Sequence, residues 1–416
     1  MDLASTYLFN NIQKIRYLAK TGISVDIQNL GKNTRCLAIR QKESLVQICK
    51  GVFLKKYTQD FNLDNFSNVY DLFWHPKQEN VESFITSSND PFYMSEHFMS
   101  DKSNIAAING SFFFLTDEAD STPVDLPYDL CIRQNKIFGL PSSDQPVVFI
   151  KKGSLDAREI SAEGIIKIGK HLVNWIGARK TNKAILKNTA ILFNSRCSEI
   201  VKSRDPLTNI QIGILDTKDI YTPKNPMLMD IVVGMNEKEE LVVSDIKFGG
   251  GSHFFAGHFI LQMRKNISQF KVGDSVKPVS IDKVNLKGIT DALTIGKAVS
   301  DPFFHDEVRV DRQDARSVIA KDQKGFIHLI TFDGSKYVPG FNGVSAKDIN
   351  TFFTKKHYKW AFFLDGGGSS RIIVKQKNKL HFFANEFSFK KLTNGLVKWD
   401  WQKSRKITSS IGLRFA

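Results

Sequence analysis

The stretch AFFLDGGGSS, residues 361–370, decides how this chain is read. An apolar run ends in a carboxylate, Asp365, and is followed by three glycines and two serines. Each glycine costs backbone entropy on folding and adds nothing to a core, so such a string needs a structural or chemical reason. A phosphate-binding P-loop or a dinucleotide fingerprint must open a helix, and the P-loop also carries a lysine. Here no lysine stands within the run, and the residues after it, RIIVKQ from Arg371, are β-branched and strand-like. The stretch therefore reads as strand, glycine turn, strand. A tight connection between Leu364 and Arg371 accounts for one or two glycines. It does not call for an acid before three of them and two hydroxyls after. Asp365 at a strand end, the amides of Gly366, Gly367 and Gly368, and the hydroxyls of Ser369 and Ser370 make a set suited to an oxyanion or a sugar phosphate.

Working outward, ARSVIAKDQKGFIHLITFDGS predicts two strands joined by a turn at Asp322 to Gly325, with Arg316 at the start of the first and Asp333-Gly334 at the end of the second. SAKDINTFFTKKH then begins with a serine at the N-cap position and sets Ile349, Phe352 and Phe353 on one side, which predicts a short helix. RKITSSIGLRF reads as a further strand. Upstream, from about residue 34, short β-type runs such as SLVQICKGVFLKKY, IAAINGSFFFL, PVVFIK, DIVVGM and ELVVSDI alternate with turn residues. Leu8, Ile12, Ile15 and Leu18 fall at helical spacing and Gly22 follows, so residues 5–20 predict an amphipathic helix. The expected fold class is α+β: a mixed, strand-rich sheet core with few helices and a short N-terminal helix.

Composition bounds the function classes. The chain has 416 residues, 42% hydrophobic and 24% charged, with 33 Phe, as in folded globular proteins rather than disordered ones. Its net charge of +15 is spread along the chain in short clusters such as Lys55-Lys56 and Lys390-Lys391, without a basic tail. That pattern fits a lysine-rich solvated surface, and it leaves room for an anionic partner: a phosphorylated ligand, nucleic acid or an anionic membrane. Cys36, Cys49, Cys131 and Cys197 make no CxxC pair, so reduced thiols are expected. The N-terminal residues lack the pattern of a secretory signal and no segment is apolar enough for a membrane span. A cytoplasmic chain on synthesis is the expectation, with export by a signal-less route left open.

A third stretch, AAINGSFFFL (residues 106–115), brings Asn109 and Gly110 out of an apolar strand. The INGSFF strand, the Arg316 hairpin, the helix and LDGGGS, in that order and followed by a strand after Arg405, resemble the phosphodiester glycosidase family. The resemblance covers roughly residues 60–416. It implies a domain over 36–416, preceded by the amphipathic segment 1–35 and holding a divergent middle at about 140–300. It further implies a hydrolase that cleaves a glycosyl phosphodiester and releases the sugar, with a glycosylated phosphate as substrate.

In that setting Asp365 is the carboxylate that meets the positive charge growing on the sugar or orients water, and Arg316 is the phosphate clamp. Asn109 would bond a sugar hydroxyl or an acetamido group. Ser369, Ser370, Gly366, Gly367 and Gly368 would hold the anion, with Gly110 and Asp333 also at the substrate. No cofactor is expected, and no ligand cluster of proper spacing supports a divalent cation beside Asp365. Three departures bear on activity: Ser111 stands for a second glycine, Ile319-Ala320 for Ile-Gly, and a glycine-rich segment is reduced to TIGKAVSDPF, residues 294–303. They support an alternative, a catalytically degenerate member that binds a phosphorylated ligand or nucleic acid. FGGGSHFFAGH, residues 248–258, repeats the glycine-serine texture without a preceding acid and reads as a loop or hairpin.

Overall fold

The structure, a computed structural model, describes residues 42–62, 65–111, 114–115, 123–124, 130–180, 189–194, 197, 200–204, 211–215, 221–254, 257–265, 269–301, 312–334, 343–376, 379–383, 389–391, 397–399 and 406–416. The segment expected to form the N-terminal helix, and Arg405, lie outside these residues.

The chain divides into two compact units, each assembled from separate stretches. The first takes residues up to His75, then Phe92–Asn109 and Val299–Ile407. Its main sheet has six strands in the order Ser44–Cys49, Val52–Asn62, Asn65–Trp74, Ile327–Phe332, Arg316–Lys321 and Trp360–Phe363. All neighbours are antiparallel. The helix Ala346–Lys355 lays Ile349, Phe352 and Phe353 against Val69, Val318, Ile330, Phe332 and Phe363 of that sheet. Burying such a stripe supplies most of a short helix's stability, since ten residues alone do not hold a helix in water. A second group of antiparallel strands runs Asn104–Asn109, Ile372–Gln376, Lys379–Phe383.

The second unit takes Pro76–Pro91, Gly110–Ala298 and Thr408–Ala416. Its eight-stranded sheet runs Leu241–Phe248, Leu228–Met235, Phe259–Arg264, Thr189–Phe193, His171–Gly177, Glu163–Ile168, Val276–Ile281 and Val284–Asn285. The bridge Val242 to Ser275 brings the first strand back beside the seventh, so the sheet curls on itself around Trp175, Ile231, Phe259 and Leu261. A five-stranded sheet accompanies it.

The expected α+β class is corrected to mostly β. Among the described residues the α-helices are Met94–Ser100 and Ala346–Lys355, while strands carry both units. The sequence holds one well-signalled helix in its C-terminal third, and that helix packs on a sheet rather than forming a layer that rivals it. No described helix is long and apolar enough to cross a membrane.

Candidate active site

Every sequence-predicted site residue except Gly110 lies in the first unit. Asp365 follows the strand Trp360–Phe363, which is hydrogen-bonded along Arg316–Lys321 with Val318 opposite Phe363. The next strand, Ile372–Gln376, pairs instead with Asn104–Asn109. The glycine run is therefore a crossing between two groups of strands, not the tip of a hairpin. Within that crossing Gly366 and Gly367 each answer a geometric need. Gly367 adopts φ +60, a left-handed conformation that glycine takes freely. A side chain on Gly366 would begin 3.3 Å from Ala315 O and 3.4 Å from Arg316 Nη1, so Arg316 lies directly over the turn.

The turn spends most of its own amides. Gly366 N donates to Asp365 Oδ1 at 2.9 Å and Gly367 N to Ala315 O at 2.8 Å. Ser369 N and Ser370 N donate back to Gly366 O and Gly367 O, closing a 3-10 turn over Gly367–Ser369. Ser369 and Ser370 are fully buried, and neither hydroxyl has a hydrogen-bond partner. Buried hydroxyls without partners are costly, and they cluster where a ligand or water completes the set.

Asn109 is fully buried at the end of its strand. Its Nδ2 donates to Asp365 O at 2.7 Å, while its Oδ1 accepts from Ser317 Oγ at 2.7 Å and from Arg371 N at 3.2 Å. The side chain expected to touch a sugar is thus a stitch joining the Arg316 strand, the Asp365 turn and the strand after it. Arg316 is half-buried, donating from Nε to Val344 O at 3.4 Å and from Nη2 to Arg312 O at 2.9 Å. Asp333 is buried too: its amide donates to Asn68 O, its carbonyl accepts from Ser67 Oγ at 2.6 Å, and its carboxylate accepts from Gly334 N. Gly110 belongs to the second unit, where its amide donates to Ser409 O at 2.8 Å.

Sequence reasoning missed Arg371. It is 2% exposed, donating from Nε to Ser369 O at 3.2 Å and from Nη2 to Gly368 O at 2.9 Å. A buried guanidinium thereby anchors both carbonyls at the far side of the turn and adds positive charge next to Asp365's loop. Its signal was adjacency to the two serines, but an arginine at a strand start is ordinarily assigned to solvent. Ser317 was missed as well, for it gains meaning only through Asn109. Among the described residues no group of three histidine, cysteine or acidic side chains is set to hold a metal.

Residues 235–412 match the family model of the phosphodiester glycosidases. That stretch is less than half of the chain; it contains Arg316, Asp333 and the whole glycine turn but not Asn109. No curated protein sequence matches the chain. Among solved structures, a hypothetical protein from Synechocystis shares the fold with a TM-score of 0.53 at 12% identity, over 90% of this chain and 64% of that one. This chain therefore spans less than two thirds of that protein's length. A putative exported protein from Burkholderia pseudomallei aligns with a TM-score of 0.48 at 14% identity, over 84% and 74% of the two chains. The catalytic domain of zebrafish N-acetylglucosamine-1-phosphodiester alpha-N-acetylglucosaminidase, auto-inhibited by its pro-peptide, aligns with a TM-score of 0.36 at 12% identity, over 90% and 88%.

Proposed function

We propose that this chain hydrolyses a glycosyl phosphodiester, with Asp365 at the centre of the reaction. One observation carries the reading: within the stretch that matches the phosphodiester glycosidase family, a carboxylate sits on a turn overlain by Arg316 and followed by two buried, unpartnered serine hydroxyls. The bond between the anomeric carbon and the phosphate oxygen breaks with its electron pair leaving on phosphate. Water adds to the anomeric carbon and passes its proton to Asp365, giving the free sugar and a phosphate monoester. The leaving phosphate is already a weak base, so the strong acid of an ordinary glycosidase pair is dispensable. Arg316 and the hydroxyls of Ser369 and Ser370 receive the anion. Asn109 acts through Asp365, fixing the carbonyl that sets the angle of its side chain.

The test is release of free sugar from a panel of sugar 1-phosphodiesters, nucleotide sugars included. Wild type should turn over at least one, and Asp365→Ala should lower the rate by about a hundredfold or more. A wild type that releases no sugar, or an Asp365→Ala variant at full rate, overturns the reading. A second reading is favoured by the net charge of +15 and by the reduced glycine segment TIGKAVSDPF, residues 294–303: the chain binds a phosphorylated ligand without cleaving it. Binding that collapses steeply with salt, with no turnover, would select that alternative.

A further inference from the structure

The motif FGGGSH, which the active site does not absorb, builds one end of the curled sheet in the second unit. Gly249, Gly250 and Gly251 take φ of +88, +72 and +79, all left-handed. Ser252 N then donates to the buried carboxylate of Asp230 at 3.0 Å. Asp230 also accepts from Thr222 Oγ1 and, at 2.8 Å, from Gln262 Nε2. A side chain on Gly250 would strike Pro223 O, and one on Gly251 would begin 2.8 Å from Lys224 Cε. The frame is therefore fixed from beneath by a fully bonded acid.

What this frame presents is amphiphilic. Met227 is 72% exposed, and Tyr221 and Phe248 are each 51% exposed. Lys224, Lys247, Arg264 and Lys265 are exposed among them. Met229 pairs with Phe248 and Leu228 with Arg264, Lys265 N donates to Met227 O, and Lys265 Nζ lies 5.2 Å from the Phe248 ring centroid, so these residues share one tip. Of the nearby acids among the described residues, Asp230 is buried and Asp245 lies back along its strand. Single exposed apolar side chains are ordinary, but several set among cations on a fixed frame mark a contact surface.

We propose that this tip docks on the surface of an anionic lipid bilayer. Met227, Phe248 and Tyr221 would enter the boundary between headgroups and acyl chains while the four cations meet phosphate headgroups. A nucleic acid fits less well, because base stacking needs open aromatic faces. Lys265 lies over one face of Phe248 and Met227 has no planar face, which leaves the tip without a row of stacking platforms. The proposal is independent of the reaction at Asp365.

The experiment is flotation of the full chain with vesicles of phosphatidylcholine alone and of phosphatidylcholine mixed with phosphatidylserine. The wild type should float with the mixed vesicles only, and less as salt rises. Lys224→Glu/Lys265→Glu and Met227→Ser/Phe248→Ser should each lower partitioning by about tenfold or more, with unchanged circular dichroism. Lys324→Glu/Lys347→Glu, an equal charge change on exposed positions of the first unit, should leave it unaltered. A wild type that stays with the soluble fraction overturns the proposal. So does a control that loses as much binding as the tip variants, or tip variants that lose single-stranded oligonucleotide binding and keep vesicle binding.

Discussion

Asn109 and Arg371 show how much of the candidate site is held by groups that need not touch a substrate. Replacing Asn109 by Ala removes the donor to Asp365 O and the acceptor for Ser317 Oγ and Arg371 N, all inside the protein. That should cost about 2–4 kcal/mol of stability, read from urea unfolding, and should abolish any activity that depends on Asp365. Arg371→Met would strand two carbonyls, at a cost of about 3 kcal/mol; Arg371→Lys should restore only part, because an ammonium cannot reproduce the fork. Asp365 and the serines stood out in the sequence because they cluster within one short run. The partners of Asn109 did not, since they lie more than two hundred residues away and only folding brings them together.

At the scale of elements, the helix Ala346–Lys355 was the most legible piece. Ser345 caps it, accepting from Asp348 N at 3.1 Å while the Asp348 carboxylate accepts from Ser345 N at 3.0 Å. Ser345→Ala should lower stability by about 1 kcal/mol in thermal or urea unfolding. Beyond the other end of that helix, His328 is buried against Phe73 and Tyr358, with Nδ1 2.9 Å from Asp71 Oδ1 and Nε2 3.7 Å from Asp322 Oδ2. Burial pulls the imidazole down, but the Asp71 and Asp322 carboxylates outweigh it and raise its pKa above the ordinary histidine value. The group's stabilising contribution is complete below the unfolded pKa of about 6.5 and is lost as pH rises through the higher folded value. Unfolding free energy should therefore fall between mildly acidic and mildly alkaline pH, and His328→Asn should flatten that fall. The crossing at Asp365 was less legible: strand propensity marks both flanking strands but not which neighbours each will choose.

At the scale of the molecule, the runs of β-type residues announced a strand-rich protein, yet the weight given to two helical patterns made the class α+β when the fold is mostly β. Helix periodicity is conspicuous in a sequence even where it occupies little of the structure. The two units were not legible, because each is assembled from stretches far apart in the chain. The second unit takes Pro76–Pro91 and Thr408–Ala416 along with Gly110–Ala298, and in the borrowed segments Ile411 and Leu413 are fully buried. A fragment of residues 110–298 should accordingly show no cooperative urea transition, whereas the full chain should. Gly110 carries a lesson for comparing such chains. A first side-chain carbon there would lie 2.5 Å from Ser409 Oγ and 2.9 Å from the Ser409 carbonyl carbon. Glycine at 110 is thus enforced by a neighbouring strand and would persist after every reactive group had been lost. A genome screen that selects on INGS would therefore retrieve dead copies alongside live ones, and under the proposed reaction Arg316 with Asp365 are the positions that should sort them.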